Sequence, residues 1–299
     1  MNLNLMKFKI VELIAQHNKI TLVAELLGLK QPTVTFHMKN LEKEFGVQLF
    51  ESRASKTYLT EAGEALRHYA QKINVLAQDA ERVVKEFNKL ERGTIRIGAS
   101  YVPGTYILPA LLSSFTNLYP QISISLVVKA SPVIKDMLMN HEIDIGMMST
   151  EPFQLPPLVS EILCEDELVV IFSPKHQLAG YDELNPALLV KTPFILHGLE
   201  SSTRQLTDKW AVAHNLMLNA HLELDSVEAI KQSVMLGNSA AFISKLAVHK
   251  EAELGELEAR PIPHNLFKRY VYLSYNQERR QSALIVQFTK HLQKSMQQL

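Results

Sequence analysis

The 299-residue sequence predicts a chain in two parts: a small all-α head carried on a long linker helix, followed by an α/β domain of two lobes. Three observations predict it. Between Ile20 and Phe45 two short apolar-faced helices meet at a glycine. From Ala62 to Leu90 an apolar residue recurs every three or four positions. From Thr94 onward, short apolar runs alternate with helical ones.

In the head, Phe8, Val11, Leu13, Ile14 and Ala15 mark a first helix over residues 5–16. A second carries Ile20, Val23, Ala24, Leu26 and Leu27, and Gly28 then leaves it with positive φ. Gln31 and Pro32 open a third, where the first-turn amide that proline lacks has no intrahelical partner anyway. Val34, Met38, Leu41 and Phe45 form its inner stripe, leaving Thr33, Thr35, Phe36, His37, Lys39 and Asn40 largely outside. Short polar side chains at the start of such a helix reach base edges in a major groove, so Gln31, Pro32, Thr33, Thr35, Phe36, His37 and Lys39 are candidate DNA contacts. An ordinary pair of core helices would show the same inner stripe. After Gly46, the run GVQLFESRASKTYLT pins itself with Val47, Leu49 and Phe50 and returns through Tyr58 and Leu59. It reads either as a two-stranded wing that sets Arg53 and Lys56 beside a phosphate strand, or as a solvated loop. Residues 1–60 hold eight bases and five acids, a modest net +3 that suits a polyanion.

Thr60 caps a long helix with Glu61 in its first turn. Ala62, Leu66, Tyr69, Ile73, Leu76, Ala80, Val83, Phe87 and Leu90 repeat with the 3.5-residue period that winds helices around one another. The stripe fits a homodimer whose two heads read half-sites related by a two-fold axis, or packing on its own domain. Residues 61–93 are therefore the linker helix and hinge, ended by Glu91, Arg92 and Gly93.

Residues 94–299 give TIRIGA, ISISLVV and IDIGMM with helices between them, then ELVVIFS, PFILH, LMLNAHLEL and AAFIS, then RYVYLSY and a closing amphipathic helix over 282–297. That order predicts parallel sheets with covering helices, in lobe I (94–163 and 266–299) and lobe II (164–265). Hydroxyls recur where strands end: Ser100 and Tyr101, Ser131, Ser149 and Thr150, Ser201 to Thr203, and Ser226. Each alone is an ordinary N-cap; their repetition points to one cleft where Ser100, Tyr101, Ser131, Ser149, Ser202 and Thr203 hold a small carboxylate or inorganic anion. Arg204 is a counter-charge there or a surface ion pair. His197 is a ligand contact or a hydrogen-bonded structural histidine.

Other classes find little support. Formal net charge is zero, and the single cysteine, Cys164, cannot form an intramolecular disulfide; it is either a thiol sensor or a small buried hydrophobe. Eleven histidines show no metal-ligand spacing, so no metal and no cofactor are expected. No phosphate-binding glycine loop or nucleophile elbow occurs, and Asp144 and Asp166 read as capping or surface carboxylates, so an enzyme is not expected. No span approaches a membrane helix in length and no export signal is seen, so a cytoplasmic protein without a membrane partner follows.

The stretch VAELLGLKQPTVTFHMKNLEKEFGVQLFES with LTEAGEAL, and after it YILPALLSSFTNLYPQISISL, EIDIGMM, LVVIFSPKHQLA, GLESSTR and DSVEAIKQSVMLGNSAAFIS, resembles the LysR-type transcriptional regulators over nearly the whole chain. The resemblance implies a winged helix-turn-helix on a dimerisation helix and a two-lobe, periplasmic-binding-protein-like effector domain. It also implies a homodimer or homotetramer on double-stranded DNA, at an interrupted inverted repeat near a promoter, with RNA polymerase as a further partner. Phe36 stands where the family often has a basic residue, Ser52 precedes Arg53 where an arginine commonly stands, and Lys30 replaces a frequent serine cap. A small-molecule binding module with an accessory head is the alternative.

Overall fold

The computed structural model describes residues 4–54, 56–86, 93–277 and 283–296. They form two compact units, Met1–Lys89 and Leu90–Leu299.

In the first unit, α1 (Leu5–His17) starts at Asn4, whose side chain accepts from the Met6 amide at 2.9 Å. The helices α2 (Ile20–Leu26) and α3 (Gln31–Phe45) follow. Gly28, at φ +65°, makes the turn between them in a region where a side chain would be strained. Val11, Ile14, Val23, Val34 and Leu41 close the core. Phe45 departs from the expected inner stripe and is exposed, as is Val47. The cause is Glu42, whose carboxylate accepts from the Leu49 and Phe50 amides at 2.9 and 3.1 Å, turning the chain back before Phe45 finds cover. The segment after it is a hairpin rather than a loop: β1 (Phe50–Arg53) pairs antiparallel with β2 (Lys56–Leu59), Phe50 opposite Leu59 and Arg53 opposite Lys56.

The long helix α4 (Glu61–Glu86) is capped by Thr60, whose hydroxyl accepts from the Gly63 amide at 3.1 Å. It packs along α1, meeting the head with only the first two residues of the heptad stripe. Its head-facing side is Gly63, Ala70 and Asn74, all buried, with Asn74 donating to Glu12 at 3.1 Å. Gly63 has no alternative, because a Cβ there would lie 2.2 Å from the Leu49 carbonyl oxygen. Ala62 and Leu66 touch the head core, whereas Tyr69 and Leu76 are 63% and 46% exposed. Phe87, Leu90 and the side chain of Val83 lie outside the described residues.

The second unit begins with β3 (Gly93–Ala99), a π-helical turn at Pro103–Ile107, α5 (Leu108–Leu118), β4 (Ile122–Val128), α6 (Ser131–Met139), β5 (Ile145–Thr150) and β6 (Leu158–Glu165). The chain then crosses to lobe II. There follow β7 (Leu168–Phe172), α7 (Pro186–Val190), β8 (Pro193–His197), α8 (Ser202–Ala213), β9 (Asn219–Leu224), α9 (Val227–Leu236), β10 (Ala241–Ser244), α10 (His249–Glu253) and β11 (Glu258–Pro261). It returns as β12 (Tyr270–Asn276) and α11 (Ala283–Met296).

The sheets are mixed, not parallel as the alternation predicted. In lobe I the order is β4-β3-β5-β12-β6, with β3 parallel to β4 and β5 and β12 antiparallel to both its neighbours. In lobe II β7 lies antiparallel between β10 and β11, and β8 runs parallel to β9. The strands β6 and β11 carry no long apolar run, and each is only partly buried. By contrast β7 is buried throughout: Val170 and Phe172 meet Phe194 and Trp210 on one face, while Val169 and Ile171 meet Ile230 and Ile243 on the other. Among the described residues, no helix is long and apolar enough to cross a membrane.

Candidate functional sites

On the head, Gln31, Pro32, Thr35, Phe36 and Lys39 line one shallow concavity on the exposed side of α3. Thr33, Thr35 and His37 are half-buried, and Phe36 is 60% exposed with the edge of His37 beside it. Thr35 donates its hydroxyl to the Gln31 carbonyl at 3.1 Å, so what it offers outward is a lone pair. His37 Nδ1 is buried and unpartnered. At the wing, Arg53 is ion-paired with Glu51 at 2.6 Å and Lys56 is exposed. A phosphate would have to displace that carboxylate, at a cost of about 0.2–1 kcal/mol for an exposed pair.

In the second unit, Ser100, Tyr101, Ser131, Ser149, His197, Ser202 and Thr203 all line one tight cleft between the lobes, with a free volume of about 20 Å³. Three helix starts meet there: the turn after β3, α6 at Ser131, and α8 capped by Ser201, whose hydroxyl accepts from the Thr203 amide at 3.2 Å. The Ser149 backbone ties them together. Its amide donates to Ser100 Oγ at 2.8 Å, and its carbonyl accepts from Ser131 and, across the cleft, from Ser202, at 3.2 and 3.0 Å. The Ser149 hydroxyl is buried and unpartnered. The lobes are further joined by Tyr106 to Glu228 and by Lys209 to Glu151.

The cation nearest this group was not foreseen. Arg269, just before β12 and buried, donates through Nη1 to Thr203 Oγ1 at 2.8 Å, while Nη2 lies 2.9 Å from Asp166. Asp166 is thus no surface carboxylate: it is buried, also accepts from Ser244, and neutralises Arg269. Asp144 is buried too, accepting from the Arg96 amide at 2.7 Å. Arg204 is engaged elsewhere, paired with Asp208 and Glu223 at 3.0 and 2.8 Å. The sequence signal for Arg269 and Asp166 was an acidic run, Glu165 to Glu167, at one crossing between lobes and a basic pair, Lys268 and Arg269, at the other. His197 bonds through Nε2 to the Phe242 carbonyl at 3.1 Å. Burial, reinforced by Arg269 and Arg204, outweighs that bond and brings its pKa down to about 4.

Residues 5–64 match the family model described as "Bacterial regulatory helix-turn-helix protein, lysR family", and residues 88–297 match "LysR substrate binding domain". The chain belongs to the LysR family. A probable RuBisCO transcriptional regulator from Gracilaria tenuistipitata var. liui is 31% identical to it over 291 residues, 96% of this chain and 94% of that one. Full-length OxyR from Pseudomonas aeruginosa superposes with a TM-score of 0.70 at 23% identity, covering 99% of this chain and 95% of that one. The regulatory domain of Synechocystis CcmR, solved in complex with 2-PG, has a TM-score of 0.64 and 27% identity over 70% of this chain and 99% of its own.

Within this LysR-family fold, Cys164 is half-buried against the lobe I core, and burial together with Asp166 pushes its thiol pKa up. No group of three or more metal-ligating side chains occurs among the described residues.

Proposed function

We propose that this LysR-family chain is a transcriptional regulator that reads an interrupted inverted repeat near a promoter and changes its grip when a small carboxylate or inorganic anion enters the cleft between its lobes. The head reads the DNA through the exposed side of α3, with the wing on a phosphate strand. The α4 helices pair two chains, two such pairs make a tetramer, and RNA polymerase is a further partner. The work is binding rather than turnover, in the cytoplasm where the promoter lies.

The observation that carries this reading is the cleft: three helix starts and a ring of hydroxyls converge on a buried, unpartnered Ser149 Oγ, a polar site that a ligand completes. The test begins with genomic fragments selected on purified protein and titrated in gel shifts at fixed salt. Gln31→Ala with Lys39→Ala is expected to weaken selected fragments at least tenfold. Small organic acids and inorganic anions are then screened for a changed footprint. Equal affinity of the double variant would remove α3 as the reading element, and a footprint that no acid or anion alters would remove the cleft as the switch.

A further inference from the structure

The hydrogen-bond polarity of the cleft is set by partners already in place. Ser100 Oγ accepts from the Ser149 amide and Thr203 Oγ1 accepts from Arg269, so both hydroxyl protons remain to be donated. Ser131 and Ser202 do the opposite: each donates its proton to the Ser149 carbonyl and keeps only lone pairs. His197, 5% exposed, must carry its proton on Nε2, because only an N–H can bond to the Phe242 carbonyl. His197 lines the cleft, and its Nδ1 is then left as an acceptor that receives no hydrogen bond among the described residues. Burial beside Arg269 and Arg204 keeps the ring neutral, and the lowered pKa of His197 agrees.

The cleft therefore offers donors and acceptors together. A plain carboxylate or sulfate answers only the donors and leaves His197 Nδ1 desolvated and unpaired. An ammonium could answer Nδ1, but the acid beside it, Asp225 against Gly198, is exposed to solvent, and those near Arg269 and Arg204 are already paired. Asp166 is held by Arg269 and Ser244, and Asp208 and Glu223 are held by Arg204.

We infer that the cleft selects a small hydroxy acid, whose anionic oxygens accept from the Ser100 and Thr203 hydroxyls while its own hydroxyl donates to Nδ1 of His197. This rests on the proposal that the cleft is the effector site.

Three two-carbon acids of one size separate the terms: glycolate carries a hydroxyl, acetate a hydrogen and glycine an ammonium. With the full-length protein, glycolate at millimolar concentration is expected to raise the melting temperature, and calorimetry to give it at least tenfold tighter binding than acetate or glycine. His197→Phe keeps a ring but removes the acceptor, and should bring the glycolate-to-acetate ratio to about one. Should that variant not fold, the wild-type imidazole gives a second reading. Its Nδ1 nitrogen resonance moves towards the hydrogen-bonded range with glycolate and stays in place with acetate. Equal binding of glycolate and acetate, glycine binding as tightly as glycolate, or no shift with any of the three overturns the inference. The effector cleft survives separately if sulfate or acetate stabilises the protein and Thr203→Val removes that stabilisation.

Discussion

Arg269 of lobe I holds Thr203 of lobe II, its Nη1 2.8 Å from the threonine hydroxyl, while Nη2 faces Asp166 at 2.9 Å. One buried cation thus joins the start of α8, the crossing into lobe II and the crossing back. Replacing it with Arg269→Met strands Asp166 as a buried charge, a change that typically costs about 3–5 kcal/mol. At roughly 2–4 °C per kcal/mol for a domain of this size, calorimetry should show a melting temperature lower by on the order of 10 °C. Adding Asp166→Leu should recover a large part of the loss. A single variant that melts with the wild type would show that the pair does not support the lobes.

Thr203→Val removes the acceptor that Arg269 Nη1 uses, so it should also lower the unliganded melting point, by the cost of one unmet buried donor, about 1–3 kcal/mol. Ligand-dependent stabilisation must therefore be measured as the shift on adding ligand, for each protein against its own baseline. If the unliganded variant melts no lower than the wild type, the Arg269 donor has found another partner.

His197 gives stability a defined pH dependence. Its pKa is about 4 folded, from an ordinary 6.5, so between those values the unfolded chain takes up a proton that the folded chain refuses. Stability from this group is fully present above about pH 6.5 and is lost as pH falls towards 4, in total by roughly 3 kcal/mol. Denaturation at a series of pH values, wild type against His197→Phe, isolates it from the carboxylates that titrate lower. Parallel curves across that window would mean that His197 is charged in the folded protein.

The head was legible because local rules decide it: Gly28, the Gln31-Pro32 start and the Val34, Met38, Leu41 stripe each act within a few residues. Six cleft residues were legible for the same reason, as hydroxyls placed where strands end, and His197 as the last residue of a strand. What escaped depends on partners far along the chain. β6 and β11 are partly exposed strands that need β12 and β7 to exist. Arg269 finds Asp166 only when two crossings 103 residues apart meet. Phe45 obeyed the helical period and failed because Glu42 turned the chain first.

On α4, Tyr69, Leu76 and Ala80 are exposed, with Ile73 half-buried between them, on a face other than the one that Gly63, Ala70 and Asn74 press on the head. Leu76→Glu removes little packing within the chain, so stability of the separate head should change by no more than about 0.5 kcal/mol. Burying that glutamate between paired helices is far more costly. Sedimentation should then show a folded monomer, and affinity for a two-half-site operator should fall at least tenfold as the second head is no longer held near its half-site. A Leu76→Glu dimer that binds at full strength would place the pairing elsewhere than this stripe.

Phe36 and Lys39 are expected to act on DNA in separable ways. Phe36 is 60% exposed, with the edge of His37 beside its ring, so Phe36→Ala should leave the melting temperature nearly unchanged. Its ring suits an apolar landmark in the major groove, the thymine methyl, and its loss should weaken only sequences with thymine at the contacted position, by about 1–3 kcal/mol. Lys39 is a charge on the same face, one turn along, and Lys39→Ala should weaken all sequences alike while reducing the slope of log K against log salt by about one. Gel-shift titrations of matched operators at several salt concentrations distinguish the two. A Phe36→Ala loss that is uniform across sequences would assign the ring to packing against the backbone rather than to reading a base.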